Sequence, residues 1–274
     1  GIASVSVSKT TFDCTNVGAN TVTLTVTDNN GNVSTCTATI TVQDLVAPTA
    51  ICQAVTTYLN ASGVATINAS DLNNGSSDNC GGALTFSASQ TSFNCSEAGA
   101  NTVVLTVTDA NGNTATCSTT VTVVDNIAPV AVCQAASINL DANGWAIVTP
   151  AAINGGSTDN CAITSMIVEP DSLNTVGTHN VNLIVFDAAG NSDTCTAVVT
   201  AVDNNPPHAV CKPDTIYLNN VGQATLTGAD IDGGSYDNGT IVSLTPSQTN
   251  FNCNHLGTNN IALTVTDNGG NTNI

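Results

Sequence analysis

One sequence pattern occurs four times along the chain, at intervals of about eighty residues. Each copy alternates apolar residues with threonine or another residue, reaches an aspartate and enters a glycine-asparagine turn. The copies are VTLTVTDNNGN, VVLTVTDANGN, VNLIVFDAAGN and IALTVTDNGGN. Their aspartates, Asp28, Asp109, Asp187 and Asp267, are 81, 78 and 80 residues apart. This period is too long for a solenoid repeat and typical of a small β-sandwich domain, so it predicts a series of such domains.

Proline-bearing junctions indicate where each repeat begins: Ala47-Pro48, Ala128-Pro129 and Pro206-Pro207. We predict the C-terminal part of a repeat over 1–46, complete repeats over 47–126 and 127–204, and a repeat over 205–274 that lacks its last strand. These segments are called the first to fourth repeats below. Because the first and the fourth are incomplete, we expect the chain to be part of a longer array.

Alternation with a period of two residues predicts β-strands in every repeat. In the segment 102–108, Val103, Leu105 and Val107 lie on one face, and Thr106 and Thr108 lie on the other. Glycine-containing dipeptides between two such runs predict tight hairpin turns. No helical periodicity of useful length occurs. The expected fold is therefore all-β, a tandem array of sandwich domains of about 80 residues.

The charge of the chain excludes several classes of partner. Twenty acidic side chains face two lysines and no arginine, which gives a formal charge of −18. A nucleic-acid interface or a basic membrane-surface helix would need many more basic residues than these two lysines. No apolar run reaches the ~18 residues that span a bilayer. The negative charge must be solvated or neutralised by cations from outside.

Cysteines recur in register, at four positions per repeat. The second repeat has all four, at Cys52, Cys80, Cys95 and Cys117. The third repeat lacks the third position, and the fourth repeat has Gly239 at the second. Because no CxxC pair occurs and the thiols are widely spread, we predict disulfides rather than metal clusters. Disulfides indicate an oxidising, extracellular compartment.

The sequence leaves the pairing of these cysteines open. The two missing positions favour pairing of the second position with the third, and of the first with the fourth. The predicted bridges are Cys80–Cys95, Cys52–Cys117 and Cys133–Cys195. Cys161 and Cys253 would then be buried free thiols.

Several of these motifs together resemble the hyalin-repeat family of immunoglobulin-like extracellular modules. They are the DNC triplets at Cys80 and Cys161, the VGxNTVTLTVTDxNGN run at Val17–Asn32, and a following cysteine-bearing strand that ends in VxVxD. The tandem, Asn/Thr-rich form most resembles repeats of giant surface adhesins of gliding Bacteroidetes. The resemblance implies an immunoglobulin-like fold, a cell-surface location and a role in adhesion or as a stalk. The usual Cys-Pro opening of the family is replaced here by Cys52-Gln53 and Cys133-Gln134.

Aspartates recur at three positions that we expect to meet at each junction. If the first two strands of a repeat pair and the chain turns near Gly63, the Asp-Asn loop lies at the same end as the last aspartate of the preceding repeat. The hairpin turn before the last strand lies at that end too. Three groups follow: Asp44, Asp78 and Asp109; Asp125, Asp159 and Asp187; Asp203, Asp237 and Asp267. Carboxylates without a basic partner favour Ca²⁺, with asparagine and backbone oxygens completing six to eight ligands. The alternative is that these residues only form turns.

The remaining residues argue against an enzyme. His179, His208 and His255 occupy unrelated repeat positions, and no phosphate-binding loop occurs. We expect Trp145 to be a packing residue, with carbohydrate stacking as the alternative. The predicted function is a non-catalytic extracellular segment, a calcium-stiffened structural or adhesive stalk or filament of a bacterial surface protein. Its partners would be neighbouring repeats of the same chain, and surface glycans or other cell-surface proteins. Alternatives are a carbohydrate- or protein-binding module, or a spacer attached to a secreted enzyme.

Overall fold

The computed structural model describes all residues from Gly1 to Ile274, and strands are its main regular element. This confirms the predicted all-β class. The chain divides into two compact units, Gly1–Asn126 and Ile127–Ile274. The first unit holds the first and second predicted repeats, and the second unit holds the third and fourth. The division into four repeats stays a prediction.

The first unit has nine strands and three single 3-10 turns. The strands are β1 (Ile2–Val7), β2 (Gly18–Asp28), β3 (Val33–Val42), β4 (Val55–Tyr58), β5 (Val64–Thr66), β6 (Thr85–Ala88), β7 (Ser92–Asn94), β8 (Gly99–Thr108) and β9 (Thr114–Val124). The 3-10 turns are Cys14–Asn16, Ala69–Leu72 and Cys95–Glu97.

The second unit has eleven strands. Its strands are β10 (Ala136–Asn139), β11 (Ala146–Ile147), β12 (Ile163–Glu169), β13 (Ser172–Leu173), β14 (Gly177–Asp187), β15 (Ser192–Val202), β16 (Gln223–Thr225), β17 (Ile241–Pro246), β18 (Asn250–Asn252), β19 (Leu263–Asp267) and β20 (Thr272–Asn273). One-turn helices α1 (Pro150–Ile153) and α2 (Gly228–Ile231) and a 3-10 turn at Cys253–His255 complete it. None of these helical segments has the length and apolar character needed to cross a membrane.

Each complete repeat contains a four-stranded and a two-stranded sheet. In the second repeat the orders are β4-β9-β8-β6 and β5-β7, and in the third they are β10-β15-β14-β12 and β11-β13. The first strand pairs in parallel with the last, as β4 does with β9. The expectation that the first two strands of a repeat pair with each other was therefore wrong. The chain does turn at Gly63, with φ of +70°, but β4 and β5 enter different sheets.

The core lies between the two sheets of a repeat and uses the predicted alternation. In β8, Val103, Leu105 and Val107 have no exposed surface. The core of the third repeat likewise joins residues of β14 to Ala146 and Leu173 of the small sheet. Since successive strand residues point to opposite faces, the threonines between these apolar residues face outward. In residues 1–46 the same alternation occurs on one three-stranded sheet, and Val22 is the buried apolar residue of its strands.

Glycine permits the hairpin turn that ends each long strand. Gly112 has a φ of +91° and Gly270 a φ of +87°, a left-handed conformation that L side chains rarely adopt. The Gly112 amide donates to the Asp109 carbonyl, and the Asp109 amide donates to the Asn113 carbonyl. The predicted hairpin turns are confirmed, and they place the aspartate and asparagine of each turn side by side.

Candidate cation sites

The hairpin turn of a repeat contacts the last aspartate of the preceding repeat. In the first unit, the side-chain amide of Asn113 donates to the backbone carbonyl of Asp44 at 3.1 Å. In the second unit, the side-chain amide of Asn271 donates to the carbonyl of Asp203 at 2.9 Å. The turns therefore lie at the junction end of their repeats, where the sequence analysis places them.

The aspartate of the turn uses its own carboxylate to close the turn. Asp109 Oδ1 accepts from the amides of Asn111 and Asn113, both at 2.8 Å, and Oδ2 accepts from the Asn113 side chain at 2.7 Å. Burial raises the pKa of the Asp109 carboxyl, but the hydrogen bonds from Asn113 and its neighbours in the turn lower this pKa by more. The net pKa lies below the ordinary aspartate value of 3.8.

The first junction brings two of its three predicted aspartates into one group. Asp44 and Asp78 lie with Cys80 in a set whose potential ligand atoms are all within 4.8 Å of one another. Asp109 is outside this set. Asp44 Oδ2 accepts a hydrogen bond from the Asn111 side chain at 3.1 Å, whereas Asp78 Oδ1 is buried without a partner. One carboxylate oxygen therefore stays available at this junction.

The junction inside the second unit brings all three predicted aspartates together. One carboxylate oxygen each of Asp203, Asp237 and Asp267 lies within 4.8 Å of the others. Asp203 exposes 2% of its surface and Asp267 exposes 1%. Asp203 Oδ2 and Asn238 Oδ1 are buried without hydrogen-bond partners. Several oxygens thus converge here, and two of them lack a donor.

The remaining predicted group is divided between the two units and stays a prediction. Asp125 belongs to the unit that ends at Asn126, whereas Asp159 and Asp187 belong to the unit that begins at Ile127. Within the second unit, Asp187 closes its own turn as Asp109 does, accepting from Asn191 at 2.8 and 2.7 Å. Asp159 Oδ1 is buried without a partner.

These donor sets fit a hard divalent cation. Carboxylate and amide oxygens are the ligands that Ca²⁺ prefers, at 2.3–2.6 Å, so two oxygens on one ion lie at most about 5 Å apart. The 4.8 Å limit of the Asp203 group meets that condition. A buried carboxylate oxygen with no donor costs free energy unless a proton or a cation neutralises it. Asp203 and Asp237, with Asn238, would hold the ion in the second unit, and Asp44 and Asp78 would hold it in the first.

The disulfides differ from prediction at the second and third cysteine positions. Cys52–Cys117 and Cys133–Cys195 form as expected. Cys80, however, pairs with Cys14 of the first repeat, so the predicted Cys80–Cys95 bridge was wrong. Cys161, expected as a free thiol, is disulfide-bonded, as is Cys95. Cys253 is free as predicted, but it is exposed rather than buried.

The Cys14–Cys80 bridge has a simple spatial reason. The third-position cysteine of the second repeat, Cys95, lies beside the Gly63 turn, with its Sγ 3.6 Å from the Gly63 carbonyl. Cys80 lies at the junction end of the same repeat, beside Asp78 and Asp44. The second and third positions of one repeat are therefore at opposite ends. The second position meets instead the third position of the repeat before it.

The three histidines and Trp145 have separate local surroundings. The His179 ring contacts the Thr175 carbonyl at 2.8 Å, the His208 ring packs against Tyr236, and His255 Nδ1 accepts from the Asn252 amide. Trp145 exposes 44% of its surface, so the expectation that it is a packing residue was wrong.

Comparison with known proteins gives weak structural similarity. No family model matches the chain, and no curated protein matches it. Similar solved structures include extracellular cadherin domains 1–4 of protocadherin gamma B7, with 13% identity, 95% of this chain and 83% of that chain covered, and a TM-score of 0.33. EC22–24 of mouse cadherin-23 matches at 14% identity, with coverage of 71% and 78% and a TM-score of 0.31.

A third match is to EC1–2 of human protocadherin-24, with 14% identity, 58% of this chain and 100% of that chain covered, and a TM-score of 0.33. Similarity at this level identifies neither a family nor a ligand for this chain. The resemblance to hyalin repeats therefore stays a prediction, and the sites are interpreted from the chain's own residues.

Proposed function

We propose that this chain is a non-catalytic, extracellular structural array whose successive repeats are braced at their junctions by disulfides and by Ca²⁺. The observation that carries the proposal is the Cys14–Cys80 disulfide, which bonds the first repeat to the second. A covalent bond between repeats resists their separation and does nothing for catalysis. Disulfides of this kind persist in oxidising compartments, which supports an extracellular location.

The charge distribution supports the role of the cation. With twenty acidic residues and two lysines, no basic side chain pairs with the carboxylates of the Asp203 group. A bound divalent cation would neutralise the group and connect the linker aspartate to loops of the next repeat. Chelation would leave like charges within 4.8 Å at the junction, and repulsion would loosen it.

We further propose that the array lies at the cell surface. The residues that resemble hyalin repeats, and the resemblance to adhesins of gliding bacteria, support a stalk or filament that carries an adhesive function. Surface glycans and other cell-surface proteins are the partners that such a filament would meet.

The covalent part is tested by peptide mapping of the full chain, produced in an oxidising compartment and digested without reduction. We expect a peptide pair that contains Cys14 and Cys80. A Cys80–Cys95 pair, or free thiols at Cys14 and Cys80, would contradict the proposal.

The cation part is tested by hydrogen exchange of the oxidised chain in Ca²⁺ and in chelator. We expect slower exchange at the linkers 43–48 and 203–207 with Ca²⁺, and unchanged exchange in the core of β8 and β14, whose packing does not involve the ion. If each linker exchanges at the same rate in Ca²⁺ and in chelator, these aspartates act only as turn residues.

A further inference from the structure

The two junctions that lie within single units differ at three positions of the same motifs. In the first unit, the Asp-Asn loop ends in Cys80 and the hairpin turn carries Ala110 and Asn111. In the second unit, the corresponding residues are Gly239, Asn268 and Gly269. We propose that the junction of the second unit is a dedicated divalent-cation site. With these three changes, a bound cation connects the two repeats there, in place of the disulfide that connects them in the first unit.

The cysteine change removes both halves of one bridge. The Cys14–Cys80 bond joins the third position of one repeat to the second position of the next. At the following junction inside the second unit, the fourth repeat has Gly239 at the second position. The third repeat has lost its third cysteine, because Leu173–Gly177 is two residues shorter than the corresponding Phe93–Gly99. This junction therefore has no thiol on either side.

The absence of a side chain at Gly239 leaves a space surrounded by oxygens. A Cβ there would lie 2.8 Å from Asn268 Oδ1, 2.9 Å from Asp203 Oδ2 and 3.2 Å from Asp237 Oδ2. Gly239 is not among the glycines with positive φ, so its backbone does not require glycine. The oxygens around the space are the feature that explains the residue.

The change at the hairpin turn leaves Asp203 Oδ2 without a donor, whereas Asp203 Oδ1 accepts from the Asn205 amide at 3.1 Å. In the first unit, the Asn111 side chain donates to Asp44 Oδ2. Gly269 stands in its place and has no side chain, and the buried Asp203 Oδ2 has no hydrogen-bond partner. Asp203 exposes 2% of its surface, so bulk water does not compensate. An unpartnered, buried carboxylate oxygen that faces two other oxygens, Asn268 Oδ1 and Asp237 Oδ2, is suited to a cation.

Asn268 adds a neutral oxygen that the second repeat lacks at Ala110. Its amide oxygen faces the Gly239 space and takes only a long contact of 3.5 Å from the Thr240 amide. On the other side, Asn238 donates to the Asp141 carbonyl at 2.9 Å and keeps its own Oδ1 without a partner. Asn238 would thus connect the ion to the Asp141–Trp145 turn of the third repeat.

The inference rests on the cation binding proposed above and is tested with variants of the full oxidised chain. Calcium affinity is measured by calorimetry and by terbium luminescence, with Mg²⁺ as a competitor. Gly239→Ala fills the space, and Asn268→Ala removes the extra oxygen. We expect the tightest site to weaken at least about tenfold in Gly239→Ala and by a smaller factor in Asn268→Ala. Hydrogen exchange of residues 237–240 and 267–271 shows whether the site affected is this one.

Two matched controls separate the causes. Gly234→Ala places a Cβ at a glycine with φ of +101° and no atom within 4 Å, so it reports backbone strain without filling the site. Ala110→Asn adds the amide to the second repeat. Because the Asn111 side chain still donates to Asp44 Oδ2 there, this variant should not create a site of equal affinity. Asn268→Ala removes only an exposed side chain and keeps the test decisive if Gly239→Ala misfolds.

The outcomes distinguish the inference from the function on which it rests. If no part of the chain binds Ca²⁺, the cation part of the proposed function fails, and the inference fails with it. If Ca²⁺ binds but Gly239→Ala and Asn268→Ala leave the tightest site unchanged, the inference alone is overturned. Support requires in addition that reductant loosens the linker at 43–48, while chelator loosens mainly the linker at 203–207.

Discussion

The side-chain amide of Asn113 donates to the backbone carbonyl of Asp44 at 3.1 Å, although 69 residues separate the two in sequence. The same amide donates to Asp109 Oδ2 at 2.7 Å. One asparagine thus holds its own hairpin turn closed and ties that turn to the preceding linker. Asn271 has the same two contacts, with Asp203 and Asp267.

Replacing Asn113 by alanine should therefore affect more than the turn. The variant removes both hydrogen bonds and leaves a buried Asp109 oxygen without a donor, at a cost of about 1–3 kcal/mol in the free energy of unfolding. Asn32→Ala is the matched control, because Asn32 closes only its own exposed turn through Asp28. Thermal unfolding and hydrogen exchange of the linker at 43–48 measure the difference. Equal effects of the two variants would contradict the tie between turn and linker.

Acid should weaken the second repeat through Asp109. Its folded pKa lies below the ordinary value of 3.8, so the carboxylate stabilises the folded state. That contribution is fully present above the unfolded pKa, about 3.9, and is lost as the pH falls through the lower folded pKa. Asp109→Asn should flatten this acid dependence and lower stability at neutral pH. An NMR titration that gives the Asp109 carboxyl a pKa at or above 3.8 would contradict this prediction.

The two kinds of disulfide should have different effects when removed. Cys52–Cys117 closes a loop of 65 residues within one repeat, so replacing both cysteines by serine should cost about 4 kcal/mol on the loop-entropy model. Cys14–Cys80 closes a loop of similar length, 66 residues, but this loop spans two repeats, so the same change there should in addition free the linker between them. Leu45 exposes 78% and Val46 exposes 55% of its surface, and thermolysin cleavage there should accelerate. Unchanged cleavage in the Cys14/Cys80 double variant would show that the bridge does not restrain the linker.

Gly144 should be intolerant of a side chain because the fourth repeat packs on it. A Cβ at this position would lie 2.3 Å from the Asn238 backbone carbonyl oxygen, and the φ of Gly144 is +84°. Gly144→Ala should displace Asn238 and weaken cation binding in the second unit, in addition to a strain of about 1 kcal/mol. Gly257→Ala has comparable strain, with φ of +104° and no atom within 4 Å, and should leave cation binding unchanged. Calorimetry of both variants checks the difference.

The strands and turns could be predicted from the sequence because each depends on neighbouring residues. Alternation placed Val103, Leu105 and Val107 on the buried face, and all three have no exposed surface. The partners of the strands could not be predicted in the same way. The parallel pairing of β4 with β9 joins residues more than sixty positions apart, and short alternating runs carry no signal for the sheet they enter.

The candidate sites were predicted in outline and not in detail. Repeat spacing and turn direction placed Asp203, Asp237 and Asp267 at one end, where the structure groups them. The equivalent Asp109 stays outside its group, although its carboxylate accepts the same bonds from Asn113 that Asp267 accepts from Asn271. The cysteine losses pointed to pairing of the second position with the third, but they could not show that the two belong to successive repeats.

Local alternation and constant offsets within a repeat were sufficient to predict the strand pattern, the hairpin turns and the end of the repeat at which the linker aspartates lie. The partner of Cys80 and the carboxylate oxygens without a donor are known only from the folded arrangement of the loops. Asp44 and Asp203 occupy the same repeat position, yet Asp44 Oδ2 meets the Asn111 amide and Asp203 Oδ2 meets none. That difference arises where loops distant in sequence approach each other. The change from Asn111 to Gly269 therefore has a consequence that only this contact shows.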